Sequence, residues 1–156
     1  MATTEGKGST QGSEGAGLAE FERELAAVMR QLMNRDTIGD VSRRSGFDLP
    51  PASWGLLEHL DARGSMRVSA IAACHGVDVS SITPRLKTLE QSGLVDRQTL
   101  PTDARVSMIS ITAEGRCALD SVHAARRELL TEALEGVDVS QIATAANVLA
   151  QIAHRI

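Results

Sequence analysis

Apolar residues return at helical spacing over most of this chain and change to strict alternation in one place only. Leu18, Phe21, Leu25, Val28, Met29 and Leu32 share one face, with Glu20, Glu22, Arg23 and Glu24 on the others. That spacing predicts a helix. The pattern runs on through Ile38 and Val41 to about Arg44, weakened at Gly39, and a helix of that length can reach a second subunit. SGFDLPP breaks it, and Pro51, suited to a first helical turn, opens a second helix to Asp61 that buries Trp54, Leu57 and Leu60. Met66 to Val68 reads as a short strand. Ser69 is the expected N-cap of a short helix of small residues that Gly76 ends. Asp78 caps the next helix, where Val79, Ile82, Leu86 and Leu89 form one buried face and Gly93 marks the end.

The period then becomes two. LVDRQTL and VSMISIT flank the polar tip PTDAR, which predicts a β-hairpin. Thr112, with Glu114 behind it, caps a helix to about Glu135 that Gly136 breaks. Asp138 or Ser140 starts a last helix whose stripe of Ile142, Ala146, Leu149, Ile152, Ala153 and Ile156 calls for burial by a partner. Residues 1–16, rich in Gly, Ser, Thr and Glu, read as a disordered tail.

Two short helices around a Gly-marked turn, followed by a β-ribbon, are the plan of a winged helix-turn-helix. The expected fold is therefore mainly α with a small β-wing. Residues 17–48 form an N-terminal dimerisation helix, 49–112 the DNA-reading lobe, and 113–156 C-terminal dimerisation helices. A major groove admits one helix, with its N-terminal residues near base edges. The helix from Val79 to Gln91 fits, because the face opposite its apolar side carries Ser80, Ser81, Pro84, Lys87, Thr88 and Gln91, with Thr83 and Arg85 on the flanks. Arg105 on the wing suits an adjacent minor groove, and Asp103 suits a role in orienting it. Serines at a helix start are commonly caps, and Asp-x-Arg on a hairpin is often a solvated turn. The ordered set of features is what points to DNA.

Composition narrows the chemistry. The 156 residues carry a net charge of −4, with two Phe, one Trp and no Tyr. Base stacking on aromatic platforms is therefore not expected. Residues 63–116 hold seven Arg and Lys against five Asp and Glu, while both flanks are net acidic. A small DNA footprint built from a few placed cations follows. No nucleophile with its base, paired carboxylates or phosphate loop is present, so no catalytic residue is assigned and an enzyme is not expected. Cys74 and Cys117, like His59, His75, His123 and His154, lack metal-ligand spacing, so no metal or other cofactor is expected. Cys74 reads as a small buried hydrophobe. Cys117 is where a redox role would sit. With no signal peptide and no membrane span, a cytoplasmic protein is expected.

The segment from Leu49 to Gly115 resembles the MarR family (multiple antibiotic resistance regulators). LPPASWGLLEHL, RVSAIAACHGVDVSSITPRLKTLEQSGLV and above all DARVSMISITAEG carry the resemblance, which with the flanking helices covers residues 18–156. It implies a homodimer joined through its terminal helices and bound to pseudo-palindromic double-stranded DNA, often released by a small effector. It places DNA contacts at Ser80, Ser81, Thr83, Lys87 and Thr88, with Arg105 on the wing braced by Asp103. Pro84, Arg85 and Arg97 complete the candidate face. The position of Pro84 is often Arg in the family. Pro84 also removes a helix hydrogen bond, so either the helix kinks near Ser80 or its regular part starts at Ser81. An effector pocket is expected around Arg30, Met33, Trp54, Leu57 and His59, suited to an apolar ligand or to none. The competing reading is a winged helix that binds protein and not DNA, which the negative net charge favours.

Overall fold

The computed structural model describes the backbone of residues 9–100 and 103–155, and side chains from Gly15 onward except at 100–105 and 156. Within these, seven helices surround a three-stranded antiparallel sheet. The order is α1 (Ser9–Leu32), α2 (Arg35–Ser45), α3 (Pro51–Arg63), β1 (Met66–Arg67), α4 (Val68–Cys74), α5 (Val79–Gln91), β2 (Val95–Leu100), β3 (Asp103–Ile111), α6 (Ala113–Ala133) and α7 (Val139–Arg155). The sheet order is β1-β3-β2, with Arg97 opposite Ile109 and Met66 opposite the same residue on the other edge.

The expected first helix is two. Its break falls at Met33 and Asn34, not at Gly39, because the Asn34 side chain accepts from the Asp36 amide at 3.2 Å and starts a new helix. The helical backbone also begins at Ser9, inside the stretch read as a tail. Gly15 and Gly17 each weaken a helix by only about 1 kcal/mol, and no proline interrupts it. The short helix starts at Val68 under Arg67, so Ser69 is a first-turn residue and not the cap.

The core is aliphatic and lies where the helix-turn-helix, the sheet and the start of α6 meet. Leu56, Leu57, Leu60, Ile71, Ile82, Leu86, Ile109 and Val122 are fully buried and come from α3, α4, α5, β3 and α6. Trp54 is buried beside them. Val79, placed by its spacing on the buried face, is 46% exposed, since it opens α5 where the helix leaves the core. Cys74 is likewise exposed, at the last position of α4.

The terminal helices behave differently. On α7 no residue is buried. On α1, Leu18, Val28, Met29 and Leu32 are exposed, as are Leu130 and Leu134 towards the end of α6. An apolar surface of several helices thus stands uncovered in the single chain.

Candidate nucleic-acid interface

Helix α5 is seated by Ile82, Leu86 and Leu89, each at most 1% exposed. Spacing of three and four residues then turns Ser80, Ser81, Pro84, Arg85, Lys87 and Thr88 outward, and all are exposed. Asp78 is the N-cap through its backbone: its carbonyl accepts from Ser81 and Ile82 at 3.0 and 3.3 Å, while its side chain makes no capping bond. Helix α5 therefore starts at Val79 and not at Ser81, and Pro84 lies inside it. Lacking an N–H, Pro84 cannot donate to the Ser80 carbonyl.

The two threonines of α5 are less free than their exposure implies. Thr83 Oγ1 donates to the Val79 carbonyl at 2.6 Å, and Thr88 Oγ1 donates to the Pro84 carbonyl at 3.1 Å. Each keeps its methyl group and its acceptor lone pairs for a ligand. Ser80, Ser81, Arg85, Lys87 and Gln91 are donors on this face without a side-chain hydrogen bond of their own.

Arg97 is half-buried on β2 and held by Glu90 of α5, with Nε 3.2 Å from Oε2. This pair ties β2 of the wing to α5. Asp103, Ala104 and Arg105 belong to the β3 backbone, so the tip of the hairpin is narrower than PTDAR. The side chains of Asp103 and Arg105 lie outside the described residues.

A cleft of about 370 Å³ opens between α4, α5 and the wing, lined by Arg67, Ser69, Val79, Thr83, Arg97 and Ser107 among others. Arg67, Ser69 and Ser107 are absent from the set read from sequence. The available signal was Arg67 standing directly before the first helix of the helix-turn-helix, but only the β1–β3 pairing brings it to the wing.

The residues expected to line an effector pocket do not gather. Met33 and Trp54 do line one cavity, of about 430 Å³, with Leu32, Val41, Arg126 and Leu129. Leu57 is locked in the core. His59 faces away, towards His75, and Arg30 is exposed outside the cavity wall. Arg126 supplies what sequence could not: its guanidinium carbon lies 5.3 Å from the Trp54 ring centroid, a cation–π distance. Trp54 Nε1 is buried without a hydrogen-bond partner.

A helix anchored by one apolar face, exposing hydroxyls and cations on the other and followed by a β-wing, defines a winged helix-turn-helix regulator of transcription. The chain belongs to the MarR family, whose model matches residues 49–107. It is 31% identical over 115 residues to the HTH-type transcriptional regulator YxaD of Bacillus subtilis, covering 74% of this chain and 78% of that one. It is 32% identical over 104 residues to the transcriptional repressor MdtR of the same organism, covering 67% of each. The crystal structure of YusO from Bacillus subtilis superposes with a TM-score of 0.70 at 25% identity, covering 96% of this chain and all of that one. This is a family of regulators and not of enzymes. No described helix is long and apolar enough to cross a membrane.

Proposed function

We propose that this regulator is a homodimer that binds a pseudo-palindromic duplex operator and represses transcription. One α5 enters the major groove of each half-site, with the half-sites about one helical turn apart. The observation that carries the reading is the split of α5 into a fully buried face, Ile82, Leu86 and Leu89, and an exposed face bearing Ser80, Ser81, Arg85 and Lys87. The uncovered apolar faces of α1, α6 and α7 support a second copy. Arg105 enters the minor groove, and Arg67 and Arg97 in the cleft beside the wing meet backbone phosphate. Repression is proposed by analogy with MdtR, which is described as a repressor.

The cavity between α1, α2, α3 and α6 is the proposed effector site. Its wall is apolar apart from Arg126, Gln31 and Thr37, which suits an apolar molecule carrying one anionic group over Trp54. Selection of bound sequences from a random duplex pool tests the function directly. Two related half-sites are expected. An unenriched pool would overturn the reading and favour a protein-binding winged helix, which the net charge of −4 otherwise supports.

A further inference from the structure

One cluster of titratable groups takes no part in the DNA face. His59 lies on α3, and His75 is the C-cap of α4, the first helix of the helix-turn-helix. Their ring centroids are 5.0 Å apart, with the planes tilted by 53°. His75 also lies against the backbone of α3: a Cβ added at Gly55 would stand 3.8 Å from its Cε1. Nε2 of each ring is buried and has no hydrogen-bond partner. A cleft of about 430 Å³ runs beside the pair, lined by Gly55, Glu58, His59, Ala62, Arg63 and His75.

The charges facing this pair come from three helices, α3, α5 and α6. Arg63 of α3 donates to Cys74 Sγ at 3.4 Å. Arg85 of α5 acts on His75 as a like charge. Glu58, the carboxylate lining the cleft, is held by α6: its Oε1 lies 3.0 Å from His123 Nε2 and accepts from Arg126 at 3.2 Å. A proton arriving on His75 would join two arginines and find the nearby carboxylate already engaged. Burial first, then His59, then Arg85 hold the His75 ring below its ordinary value of 6.5.

We propose that His59 and His75 form an acid-sensitive latch between α3 and the helix-turn-helix. The neutral rings keep α4 seated on α3, and a proton on the pair parts the two helices, unseats α5 and releases DNA. The latch rests on the DNA-reading function proposed above. Its direction follows from the sign of the shift. A ring held below its ordinary value favours the closed form when neutral, so closure is fully stable above pH 6.5 and weakens as pH falls below it. General electrostatics runs the other way, because acid adds positive charge and strengthens attraction to phosphate.

The test uses the whole dimer and its selected operator at constant salt, between about pH 8 and pH 5.5, which spans imidazole titration. Wild-type affinity is expected to fall at least about fivefold, the lower end of a typical coupling between two sites, and hydrogen exchange of residues 68–78 to rise after correction for intrinsic rates. His75→Gln and His59→Gln, both uncharged, are expected to hold their affinity and protection. If one variant folds poorly, the other decides. Wild-type affinity that is constant or rising on acidification, or variants that follow the wild-type loss, would overturn the latch. If the wild type fails to bind DNA near pH 8, the DNA reading falls, and exchange in residues 68–78 still decides whether the helices part.

Discussion

The backbone of Gly115, in the first turn of α6, lies against the carbonyl of Leu94 at the root of the wing. A Cβ on Gly115 would fall 2.1 Å from that oxygen and 2.7 Å from Ile111 Cγ1. Thr112 secures the same corner. Its amide donates to the Leu94 carbonyl at 3.1 Å, its hydroxyl donates to the Gly93 carbonyl at 2.7 Å, and the hydroxyl oxygen accepts from the Gly115 amide at 3.0 Å. The start of α6 is thereby bolted to the wing. Gly115→Ala must push backbone against backbone, so it is expected to cost at least about 1–3 kcal/mol. Chemical denaturation measures this; an unchanged midpoint would contradict the close approach.

The uncovered stripe on α7 predicts the assembly state. Leu149 is 47% exposed in the single chain. Leu149→Glu is expected to convert a dimer to a folded monomer in sedimentation experiments, since an unpaired charge in an apolar interface carries a desolvation cost. Helical circular dichroism should change little. A variant that sediments as the wild type does would contradict an interface on this stripe.

Pro84 makes the exposed face of α5 more apolar. It is exposed, and Thr83 and Thr88 on the same helix direct their hydroxyl protons to backbone carbonyls. A thymine methyl is the expected partner of Pro84, worth about 0.8 kcal/mol as one buried carbon. Replacing the thymines of the operator one at a time by uracil should find a position where affinity drops by about that amount. Pro84→Gly should erase the difference. Equal binding of every uracil-substituted site would exclude the contact.

Much of this fold was legible in the residues, because periodicity reports which face is buried. The buried face of α5, the hairpin alternation through Ile109 and Ile111, and Thr112 as a cap all follow from spacing alone. The break at Asn34 was missed because the apolar pattern continues across it; only the side-chain bond to the Asp36 amide reveals two helices. Val79 obeyed the period and is still exposed, since periodicity cannot show where the core ends. The cavity wall was legible in Met33 and Trp54 but not in Arg126, about 70 residues further along the chain, because long-range packing leaves no local signature. His59 faces His75 and not this cavity for the same reason.

The two ends of Arg44 predict an acid limb in stability. Arg44 donates to both carboxylate oxygens of Glu132, at 2.6 and 2.9 Å, joining α2 to α6. This hydrogen bond, ahead of the opposing desolvation, holds Glu132 below its ordinary value of 4.5. A carboxylate depressed in the folded state adds stability above its unfolded value and loses it as pH falls through the folded one. The loss should therefore develop below pH 4.5. Both groups meet solvent, so the effect is small and screened by salt. In low salt, Glu132→Gln should flatten this limb of the denaturation midpoint against pH, leaving neutral pH less stable than in wild type. An identical acid limb in both proteins would remove the pair from the account.

The salt dependence of operator binding tests the central claim most directly. A dimer that reads DNA through placed cations should show log K falling steeply with log salt concentration. Lys87→Ala or Arg67→Ala removes one phosphate-facing cation from each protomer, so each should reduce the slope by about 1.8, near 0.9 per phosphate contact. A flat salt response in the wild type, or slopes unmoved by both substitutions, would contradict the assignment of α5 and the wing as the DNA-reading surface.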